Sequence, residues 1–554
     1  MLLIVGIDGA TWDVAEALIA AGRMPNLAAL RAGGVWGPLA STVPPATFPS
    51  WSTFATGVNP GRHGIFDFTR RVFGTYEVTF INSTFRAAPS IWRRLSDQGK
   101  RVGVLGLPGT YPPEPVNGCM ISGFDTPVTT RADASFIYPR ELAALVEAKG
   151  GFPFADFQEF RIGADWYRMA SEQLLEGIDA KTSLAIDLLR REPWDSFLLL
   201  YGESDTVAHH FWKFHDAGSP RFEPCAHEYG DAINKVYERL DSSIGRLIDA
   251  AEPQNILVVS DHGFGGAGRK NIHLNHWLAE HGYQKRLANN GGGLSSTLKR
   301  LALRMIPASL QATAFRLNGG RWASRLESRA RFNGISWPET TAFSEELNYF
   351  PSIWLNLEGR EPQGVVASGD YRRVVDDVCA DLCEGLIDPE TRRSVVRHAW
   401  RRDELYHGDH VQYAPDIILD LELDAGYSYN CLSSASTPGT DVFSTFQIGH
   451  SDGGKLAGMS GSHRSDGLFV MAGKDVGGLG RIQGAAIADM APTIMNLAGA
   501  DLPRGLDGRL IEPRDLNRDP ADPVEQDNAN TPQPYSDAEE SEIAARLEAL
   551  GYID

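Results

Sequence analysis

Cysteine is scarce in this chain, with five cysteines among 554 residues. They are Cys119, Cys225, Cys379, Cys383 and Cys431. Because their number is odd and no CxxC pair occurs, we expect neither a disulfide framework nor a cysteine metal site. Cys379 and Cys383 have the i,i+4 spacing of a helix face and are interpreted as ordinary core or surface residues. This scarcity predicts a reducing compartment, most simply the cytoplasm.

Long apolar segments and an excess of positive charge are also missing. No stretch is apolar over the roughly 20 residues that a membrane helix needs, so no transmembrane segment is expected. The N-terminal stretch MLLIVGIDGA lacks a basic region before its apolar residues and predicts a first strand rather than a signal peptide. A net charge of −19 argues against general nucleic-acid binding.

What the chain does contain is an alternation of short apolar runs with amphipathic segments. The runs that predict strands are 2–7, 101–107, 196–201, 255–260, 353–357, 416–421 and 468–472. Helical spacing is found at 11–32, 91–98, 177–190, 229–251, 371–386, 487–497 and 536–550. This alternation predicts an α/β fold with a mostly parallel sheet. The length exceeds that of a usual single domain, so we expect an elaborated core with an insertion.

Two segments depart from this alternation. Residues 285 to about 335 contain ten Lys and Arg residues, with Glu327 as their only acid. We expect a helical insertion with a solvated basic face; the alternatives are a cap over an anionic substrate or a weak contact with a membrane surface. A later stretch rich in Asp and Pro predicts a linker, and the helix after it docks on its own core or on a partner. The expected units are a catalytic core at 1–284 and 341–512, a basic cap insertion at 285–340, a linker at 513–535 and a C-terminal helix at 536–554.

Acidic and histidine residues follow several of the predicted strands. Asp8 ends the first strand, Asp205 lies just past SFLLLY, and Asp261 and His262 follow ILVVS, whereas His463 precedes the strand GLFVMAG. Sites in open parallel sheets form outside the carboxyl ends of the strands, and three of these four places are such ends. Carboxylate oxygens and neutral imidazoles suit zinc or a similar divalent ion.

Asp205 and His209 are four residues apart, so a helix there would place both on one face, where they could grip one ion. Other interpretations stay open. A strand-terminal Asp often caps the next helix, and only one of His209 and His210 need be functional. His63, in a Pro-Gly-Arg-His-Gly turn, is interpreted as structural.

Thr47 lies at the centre of residues 44–68, a stretch with four prolines, three glycines and no apolar periodicity. This composition predicts loop and turn structure. A Thr in such a loop is usually a turn residue or a helix N-cap. Together with the acids and histidines at the strand ends, Thr47 indicates a two-metal hydrolase.

The same residues stand in motifs that resemble those of the alkaline phosphatase superfamily, in its type I phosphodiesterase/nucleotide pyrophosphatase branch, and within it a group of predicted phosphohydrolases or phosphomutases. The motifs are Asp8-Gly9, Met24-Pro25-Asn26-Leu27, Ala46-Thr47-Phe48-Pro49, Thr56-Gly57, His63-Gly64-Ile65, Glu203-Ser204-Asp205 with His209, Ser260-Asp261-His262-Gly263 and Gly461-Ser462-His463. The resemblance runs almost end to end. It implies an alkaline-phosphatase-like three-layer sandwich around a mostly parallel sheet, with a helical insertion.

The resemblance also implies two divalent metal ions, with zinc as the expectation and manganese or iron as alternatives. The implied ligands are Asp205, His209 and His463 for one ion, and Asp8, Asp261, His262 and the Thr47 hydroxyl for the other. Thr47 would be the nucleophile that attacks phosphorus. Arg464 would contact a substrate anion or be an ordinary structural arginine.

Two departures narrow the expected chemistry. Sulfatases of the superfamily carry C/S-x-P-x-R, whereas residues 47–51 read TFPSW and lack that Arg, which disfavours sulfatase activity. Nucleotide pyrophosphatases usually have Glu-Pro-Asp where this chain has Glu203-Ser204-Asp205, so a nucleotide pocket is in question. We therefore expect a metal-dependent hydrolase of small phosphorylated or phosphodiester substrates. A phosphomutase is the alternative enzyme, a scaffold or binding protein the alternative without catalysis, and a homo-oligomer is left open.

Overall fold

The computed structural model of the chain describes residues 1–127, 134–154, 164–224, 229–287, 322–435, 437, 439–446, 459–478, 480–511 and 532–550. None of the helices within these ranges combines the length and the apolar character that crossing a bilayer requires.

Strands and helices alternate along most of the chain. The strands are β1 (Leu2–Ile7), β2 (Val35–Ala40), β3 (Thr69–Val72), β4 (Glu77–Phe80), β5 (Val102–Leu107), β6 (Gly118–Ser122), β7 (Ile137–Tyr138), β8 (Ser196–Tyr201), β9 (Asn255–Val259), β10 (Gly263–Ile272), β11 (Ala342–Phe343), β12 (Ser352–Leu355), β13 (Val396–Arg401), β14 (Ile417–Leu421), β15 (Leu423–Asp424), β16 (Tyr427–Cys431), β17 (Phe443–Thr445), β18 (Gly461–Arg464), β19 (Asp466–Gly473), β20 (Gly480–Arg481) and β21 (Ala485–Ala486). The helices are α1 (Trp12–Ala20), α2 (Pro25–Gly33), α3 (Thr47–Thr56), α4 (Pro60–His63), α5 (Ile91–Asp97), α6 (Ala143–Ala148), α7 (Ala164–Arg191), α8 (Glu203–His215), α9 (Ala232–Ala251), α10 (Leu274–Glu280), α11 (Trp322–Phe332), α12 (Tyr371–Gly385), α13 (Arg402–Leu405), α14 (Met490–Leu497) and α15 (Asp537–Leu550).

The main sheet, ten-stranded within the described ranges, has the order β20-β2-β19-β9-β1-β8-β5-β6-β7, with β21 beside β2. Strands β9, β1, β8, β5 and β6 run parallel, and β19 runs antiparallel to β9 and β2. Leu2 pairs with both Ser196 and Asn255, so the carboxyl ends of β1, β8 and β9 lie at nearly the same level. The predicted α/β fold with a mostly parallel sheet is confirmed.

The two faces of the main sheet carry separate cores, because successive residues of a strand point to opposite faces. Leu3, Val5 and Ile7 pack with α1, α7, α8 and α9 on one face. Leu2 and Ile4 pack with α3, α5 and α14 on the other. Helices therefore cover both faces, which is the three-layer sandwich expected from the resemblance. Burial on both faces explains why these strands read as continuous apolar runs.

Smaller sheets are built beside the main one. Strand β10 leaves the carboxyl end of β9 and joins β15, β16, β17 and β18 in a five-stranded sheet. Strands β11, β12, β14 and β13 form an antiparallel sheet. Its apolar residues share a core with α10 and α12, which includes Trp277, Leu355 and Val378. This second unit is connected to the main sheet through β10, which lies between β9 and α10 in the chain.

The prediction of loop and turn structure for residues 44–68 is wrong in the centre of this stretch, where the structure has helices α3 and α4. All ten residues of α3 are buried. A helix buried on every side has no polar face, so it gives no periodic signal. Pro49 is tolerated because it lies in the first turn, where its missing N–H breaks no helical bond. Helix α3 ends at Gly57, which has a left-handed φ of 71°.

Helix α7 begins at Ala164, well before the predicted start at Gly177. Trp166, Ala170 and Leu174 are buried at i, i+4 and i+8, which is the spacing of one helix face. The polar residues between them belong to its outer side.

The predicted basic insertion lies largely outside the described residues, since only 285–287 and 322–340 of it are described. Within them, α11 is a helix on which Arg325 and Arg329 are exposed, as expected. Arg331 contradicts the prediction of a solvated basic face. It is buried, pairs with Glu327 at 2.7 Å and with Glu345, and donates to Thr69 Oγ1 at 3.0 Å. Buried Arg residues of this kind are paired because an unpaired buried charge is costly.

The C-terminal helix α15 docks on its own chain. Arg546 donates to the backbone carbonyls of Phe124 (3.0 Å) and Thr126. Tyr535, just before the helix, is buried, stacks on Tyr111 and donates to the carbonyl of Asp125. The predicted linker lies outside the described residues up to 531.

Candidate metal centre

Four acid or histidine residues lie where the parallel strands end. Asp8 directly follows β1, and Asp261 and His262 follow β9. Asp205 lies in the first turn of α8, the helix that leaves β8. Because β1, β8 and β9 end at one level, these side chains meet at a single edge of the sheet. All of them are buried.

Helix α8 adds a fifth side chain by its periodicity. His209 is one turn beyond Asp205, and its Nε2 lies 3.4 Å from Asp205 Oδ1. This segment is helical, so the condition under which Asp205 and His209 share one face is met. His210, the neighbouring residue, points elsewhere, with its ring 5.1 Å from that of Trp166. His209 is therefore the member of the pair that faces the site.

His463 arrives from the five-stranded sheet. Strand β18 pairs antiparallel with β10, with His463 opposite Phe264. Its Nε2 lies 3.4 Å from Asp205 Oδ1 and 3.1 Å from His209 Nε2. Its ring stacks on that of His262, with 3.8 Å between the centroids. The pairing of β10 with β18 thus carries a residue from the far end of the chain to the sheet edge.

Thr47 is the first residue of α3 and is fully buried. Its Oγ1 lies 3.3 Å from His262 Nε2. The N-terminus of a helix carries unsatisfied N–H groups and a partial positive charge. Thr47 therefore stands beside the acids and histidines, at a helix end that favours negative charge.

The potential ligand atoms form two groups, each with all its atoms within 4.8 Å of one another. The groups are Asp205, His262 and His463, and Asp8, Asp261 and His262. His262 Nε2 lies 3.5 Å from Asp8 Oδ1 and 3.4 Å from Asp261 Oδ2. The resemblance assigns His262 to one ion, whereas the geometry places its Nε2 between both groups.

Backbone carbonyls fix which nitrogen of each ring faces the site. His463 Nδ1 lies 2.8 Å from the carbonyl oxygen of Pro45, and His262 Nδ1 lies 3.0 Å from that of Gly263. A carbonyl can only accept, so Nδ1 of each ring donates and Nε2 keeps its lone pair. Such contacts orient ligating histidines.

Trp51 is a site residue that the sequence analysis missed. It lies one helical turn after Thr47 and donates its indole N–H to Asp8 Oδ2 at 2.9 Å. Gly9 donates its backbone N–H to Asp261 Oδ1 at 3.2 Å. The one sequence signal for Trp51 was its i,i+4 spacing from Thr47, which in a helix places the two side chains on one face.

The buried acids influence one another strongly. Burial raises the pKa of Asp8 well above its usual value, and the charges of Asp261 and Asp205 raise it further. Burial likewise raises the pKa of Asp261. Burial opposes ionisation of Asp205 as well, but its interaction with the imidazole of His209 holds its pKa well below the usual value. The carboxylates therefore need compensating positive charge.

Two of the site histidines, His262 and His463, do not supply that positive charge. Burial lowers the pKa of His262 well below its usual value, and it also lowers the pKa of His463. Both rings are therefore neutral near pH 7, the form in which imidazole binds metals.

The surroundings of two carboxylate oxygens indicate whether the site suits a cation. Asp8 Oδ1 and Asp261 Oδ2 are buried and have no hydrogen-bond partner among the described residues. Buried charges are normally paired or bound to metals, because leaving them alone is costly. Carboxylate oxygens with imidazole nitrogens suit zinc, manganese or iron. The residues present thus fit a metal centre.

Two further predicted residues have structural partners. Arg464 donates to the carbonyls of Gly266 (2.9 Å) and His463 (3.1 Å) and to Ser428 Oγ. These bonds tie β18 to its neighbours and agree with the structural alternative rather than with an anion contact.

His63 is buried, with Nε2 3.0 Å from Thr53 Oγ1 and Nδ1 accepting the Ile65 N–H, as predicted for a structural residue.

The family model described as type I phosphodiesterase / nucleotide pyrophosphatase matches residues 2–430. This chain belongs to that family. The resemblance drawn from its motifs is confirmed, and so is the prediction of an enzyme, since the family is one of phosphoester hydrolases. No curated protein matches the chain.

Several solved structures match this family member along most of its length, and the two with a TM-score above 0.5 share its fold. Phosphonoacetate hydrolase from Sinorhizobium meliloti 1021, in complex with phosphonoformate, covers 90% of this chain and 95% of its own, with 16% identity and a TM-score of 0.52. The same hydrolase in complex with phosphonoacetate gives the same coverage and TM-score at 15% identity. Murine ectonucleotide pyrophosphatase / phosphodiesterase 5 covers 91% of this chain and 96% of its own, with 15% identity and a TM-score of 0.43.

Proposed function

We propose that this chain hydrolyses phosphoric esters through a two-metal centre with Thr47 as the nucleophile. The observation that carries the proposal is the placement of Thr47 Oγ1 at the N-terminus of α3, 3.3 Å from the His262 Nε2 that both ligand groups share. Family membership supports the reaction class.

Seven side chains would hold the two ions. They are Asp205, His209 and His463 for one ion, and Asp8, Asp261, His262 and the Thr47 hydroxyl for the other, with His262 placed to serve either. When bound, such ions lower the pKa of a coordinated hydroxyl and stabilise charge on the attacking and leaving oxygens of an in-line displacement. Zinc is the metal we propose first, with manganese or iron as alternatives.

Thr47 provides the covalent step. Its hydroxyl gives up its proton to water, Oγ1 bonds to phosphorus, and the bond from phosphorus to the leaving oxygen breaks. This produces a phosphothreonine, and the leaving oxygen takes a proton from water. A second water then cleaves the bond from phosphorus to Oγ1, which releases inorganic phosphate from a monoester substrate or a phosphomonoester from a diester substrate. Backbone N–H groups at the start of α3 support the negative charge that develops beside Thr47.

Asp8 must present an ionised oxygen although its burial and the charges of Asp261 and Asp205 oppose ionisation. The indole N–H of Trp51 binds Oδ2 and leaves Oδ1 directed toward His262. Likewise, the Gly9 N–H binds Oδ1 of Asp261 and leaves Oδ2 for the site. Each acid thus has one oxygen held by the protein and one that can take an ion.

The test is hydrolysis of p-nitrophenyl phosphate and bis-p-nitrophenyl phosphate by the metal-loaded protein. Thr47→Ala should lower turnover by about 10³-fold or more, because it removes the nucleophile. Thr56→Ala is the matched control, since Thr56 lies in the same helix but donates to the Ser52 carbonyl. Unchanged turnover in Thr47→Ala, or equal losses in both variants, would contradict the proposal.

The same experiment separates the alternatives. Turnover of the diester supports a phosphodiesterase, and turnover of the monoester alone supports a phosphatase or a phosphomutase. Transfer of the phosphoryl group to an added alcohol instead of release as inorganic phosphate would identify the mutase. A chain that binds no metal and turns over neither ester would be the scaffold protein.

We also propose a small phosphorylated or phosphodiester substrate and a cytoplasmic location. The location is supported by three described cysteines, Cys119, Cys379 and Cys383, which are free thiols. Fractionation of cells that express the chain tests it, and recovery in an exported fraction would contradict it. A homo-oligomer stays a prediction that size-exclusion chromatography with light scattering can check.

A further inference from the structure

Tyr349 lies against the candidate metal centre but comes from outside the core that carries the other site residues. It is in the segment between β11 and β12, in the smaller antiparallel unit. Its ring stacks on that of His463, with 4.3 Å between the centroids and 14° between the planes. His463 in turn stacks on His262. Three aromatic rings therefore form one continuous stack, with Tyr349 at its outer end.

The hydroxyl of Tyr349 reaches a second histidine. It lies 3.4 Å from Nδ1 of His209, the nitrogen that faces away from the site, and 3.7 Å from Met459 Sδ. His209 Nδ1 is also 3.4 Å from the carbonyl oxygen of Gly461. Both distances are long for hydrogen bonds, so the ring stack is the stronger of the two contacts that Tyr349 makes with the histidines.

The residues around Tyr349 are firmly held. Glu346 is buried, has a left-handed φ of 54° and accepts the backbone N–H groups of Asn275 (2.9 Å) and Ser434 (2.6 Å). The residue before Tyr349, Asn348, accepts the backbone N–H of Cys431 at 2.9 Å.

On the other side of Tyr349, Phe350 is buried in a cluster with Phe66, Tyr406 and Ile418. A ring held from both sides can act as a fixed wall for the imidazole it contacts. Tyr349 itself is half-buried.

We propose that Tyr349 is a positioning residue for the imidazole ligands, acting mainly by stacking on His463. This inference rests on the proposed two-metal function. An imidazole held on one face by His262 and on the other by Tyr349, with its Nδ1 bound to Pro45, has a single orientation of Nε2. Partners behind metal ligands are worth about 10–100-fold in metal affinity. The smaller unit would thus complete the metal centre of the core.

The experiment measures zinc affinity of the full-length, metal-stripped chain by competition with a chromogenic chelator, which needs no turnover. Tyr349→Ala should weaken the binding of one of the two ions by about 10–100-fold. Tyr349→Phe keeps the stack and should stay near the wild-type affinity. Tyr76→Ala is the matched control, because Tyr76 also stacks on an aromatic ring, that of Trp337, but lies away from the site.

The outcomes are distinct. Wild-type affinity in Tyr349→Ala, an equal loss in Tyr349→Phe, or an equal loss in Tyr76→Ala would each overturn the inference while leaving the two-metal proposal intact. A wild-type chain that takes up no zinc, manganese or iron would overturn both. If Tyr349→Ala does not fold, Tyr349→Leu replaces it, since Leu fills space without an aromatic face and should show the same loss.

Discussion

The indole N–H of Trp51 donates a hydrogen bond to Oδ2 of Asp8 at 2.9 Å. The same turn of α3 therefore carries the candidate nucleophile, Thr47, and contacts a candidate metal ligand, Asp8. Thr47 and Trp51 share a helix face, and both are buried. Any shift of α3 would therefore move Thr47 and release Asp8 together. This links the orientation of the nucleophile to that of the carboxylate.

Trp51→Phe tests this link, since it removes the N–H and keeps an aromatic ring. We expect activity on the ester substrates to fall by about 10–100-fold, because a carboxylate that loses its partner is a less well oriented ligand. Steady-state kinetics and the metal content per chain are the measurements. Trp277→Phe is the control, because Trp277 is equally buried but its indole N–H has no hydrogen-bond partner among the described residues. Equal effects of both substitutions would contradict the prediction.

Metal removal should destabilise the fold. Asp8, Asp205 and Asp261 are buried within one small volume, and an ion that binds only the folded chain stabilises it by about 2.7 kcal/mol at a concentration of 100 Kd. We expect the unfolding temperature to fall after dialysis against a chelator and to recover when zinc or manganese is added. Calorimetry measures this, and an unfolding temperature that ignores the chelator would count against a metal centre.

The effect of Asp261→Asn on stability should have opposite signs in the metal-free and the metal-loaded chain. In the metal-free chain it removes a buried charge that repels Asp8, so we expect a higher unfolding temperature than that of the wild type. In the metal-loaded chain the substitution removes a ligand, so we expect a lower unfolding temperature than that of the wild type. Asp241→Asn is the control, because Asp241 is buried but fully engaged at the start of α2 by the N–H groups of Asn26 and Leu27. Its effect should be the same with and without metal.

The strand-end acids were predictable because their position depends on a local pattern. Asp8 and Asp261 each follow an apolar run, and parallel strands bring the ends of such runs to one edge. The face shared by Asp205 and His209 follows from helix periodicity alone. None of these inferences requires knowledge of how distant parts of the chain pair.

Other site residues depend on such pairing, so local patterns do not place them: His463 was expected at the site only through the family resemblance, and Tyr349 was not expected there. His463 reaches the site because β18 pairs with β10, and Tyr349 reaches it because a separate unit packs beside the core. Helix α3 was missed for a different reason. Its burial on all sides removes the polar face on which helix prediction depends, and Trp51 was missed with it.

Docking of α15 should depend on Arg546. Its buried guanidinium donates to the carbonyls of Phe124 and Thr126, and Arg546→Ala would leave these acceptors without their charged donor. We expect a loss of about 2–4 kcal/mol in the free energy of unfolding and faster proteolysis near the C-terminus. Arg168→Ala is the control, since the pair that Arg168 makes among the described residues is an exposed i,i+4 pair with Glu172; its effect should stay below about 0.5 kcal/mol. If the C-terminus of Arg546→Ala resists proteolysis as well as that of the wild type, contacts other than those of Arg546 hold the helix.

Asp125, which lies between the two carbonyls that Arg546 binds, should make stability depend on pH. Burial raises the pKa of its carboxyl to about 7, even though the Gly109 N–H binds Oδ1 and the charge of Arg546 lowers it. Arg86 and Tyr535 are the other ionisable groups that interact with it. An acid whose pKa is raised by folding keeps its proton in the folded chain after the unfolded chain has lost it. The free energy of unfolding therefore falls as the pH rises from about 4 to about 7, by at most about 4 kcal/mol, and stays lower above that range.

Asp125→Asn removes this titration, because the amide is neutral at every pH and can still accept the Gly109 N–H. We expect the variant to exceed the wild type in free energy of unfolding by more at pH 8 than at pH 5, as measured by denaturant unfolding of metal-loaded protein at both pH values. Using the difference between variant and wild type cancels the titration of all other groups. A difference that is the same at pH 5 and pH 8 would show that Asp125 is already ionised in the folded chain, with Arg546 compensating its charge. In that case Arg546→Ala should be much less harmful in the Asp125→Asn background, because the two residues would act as a pair.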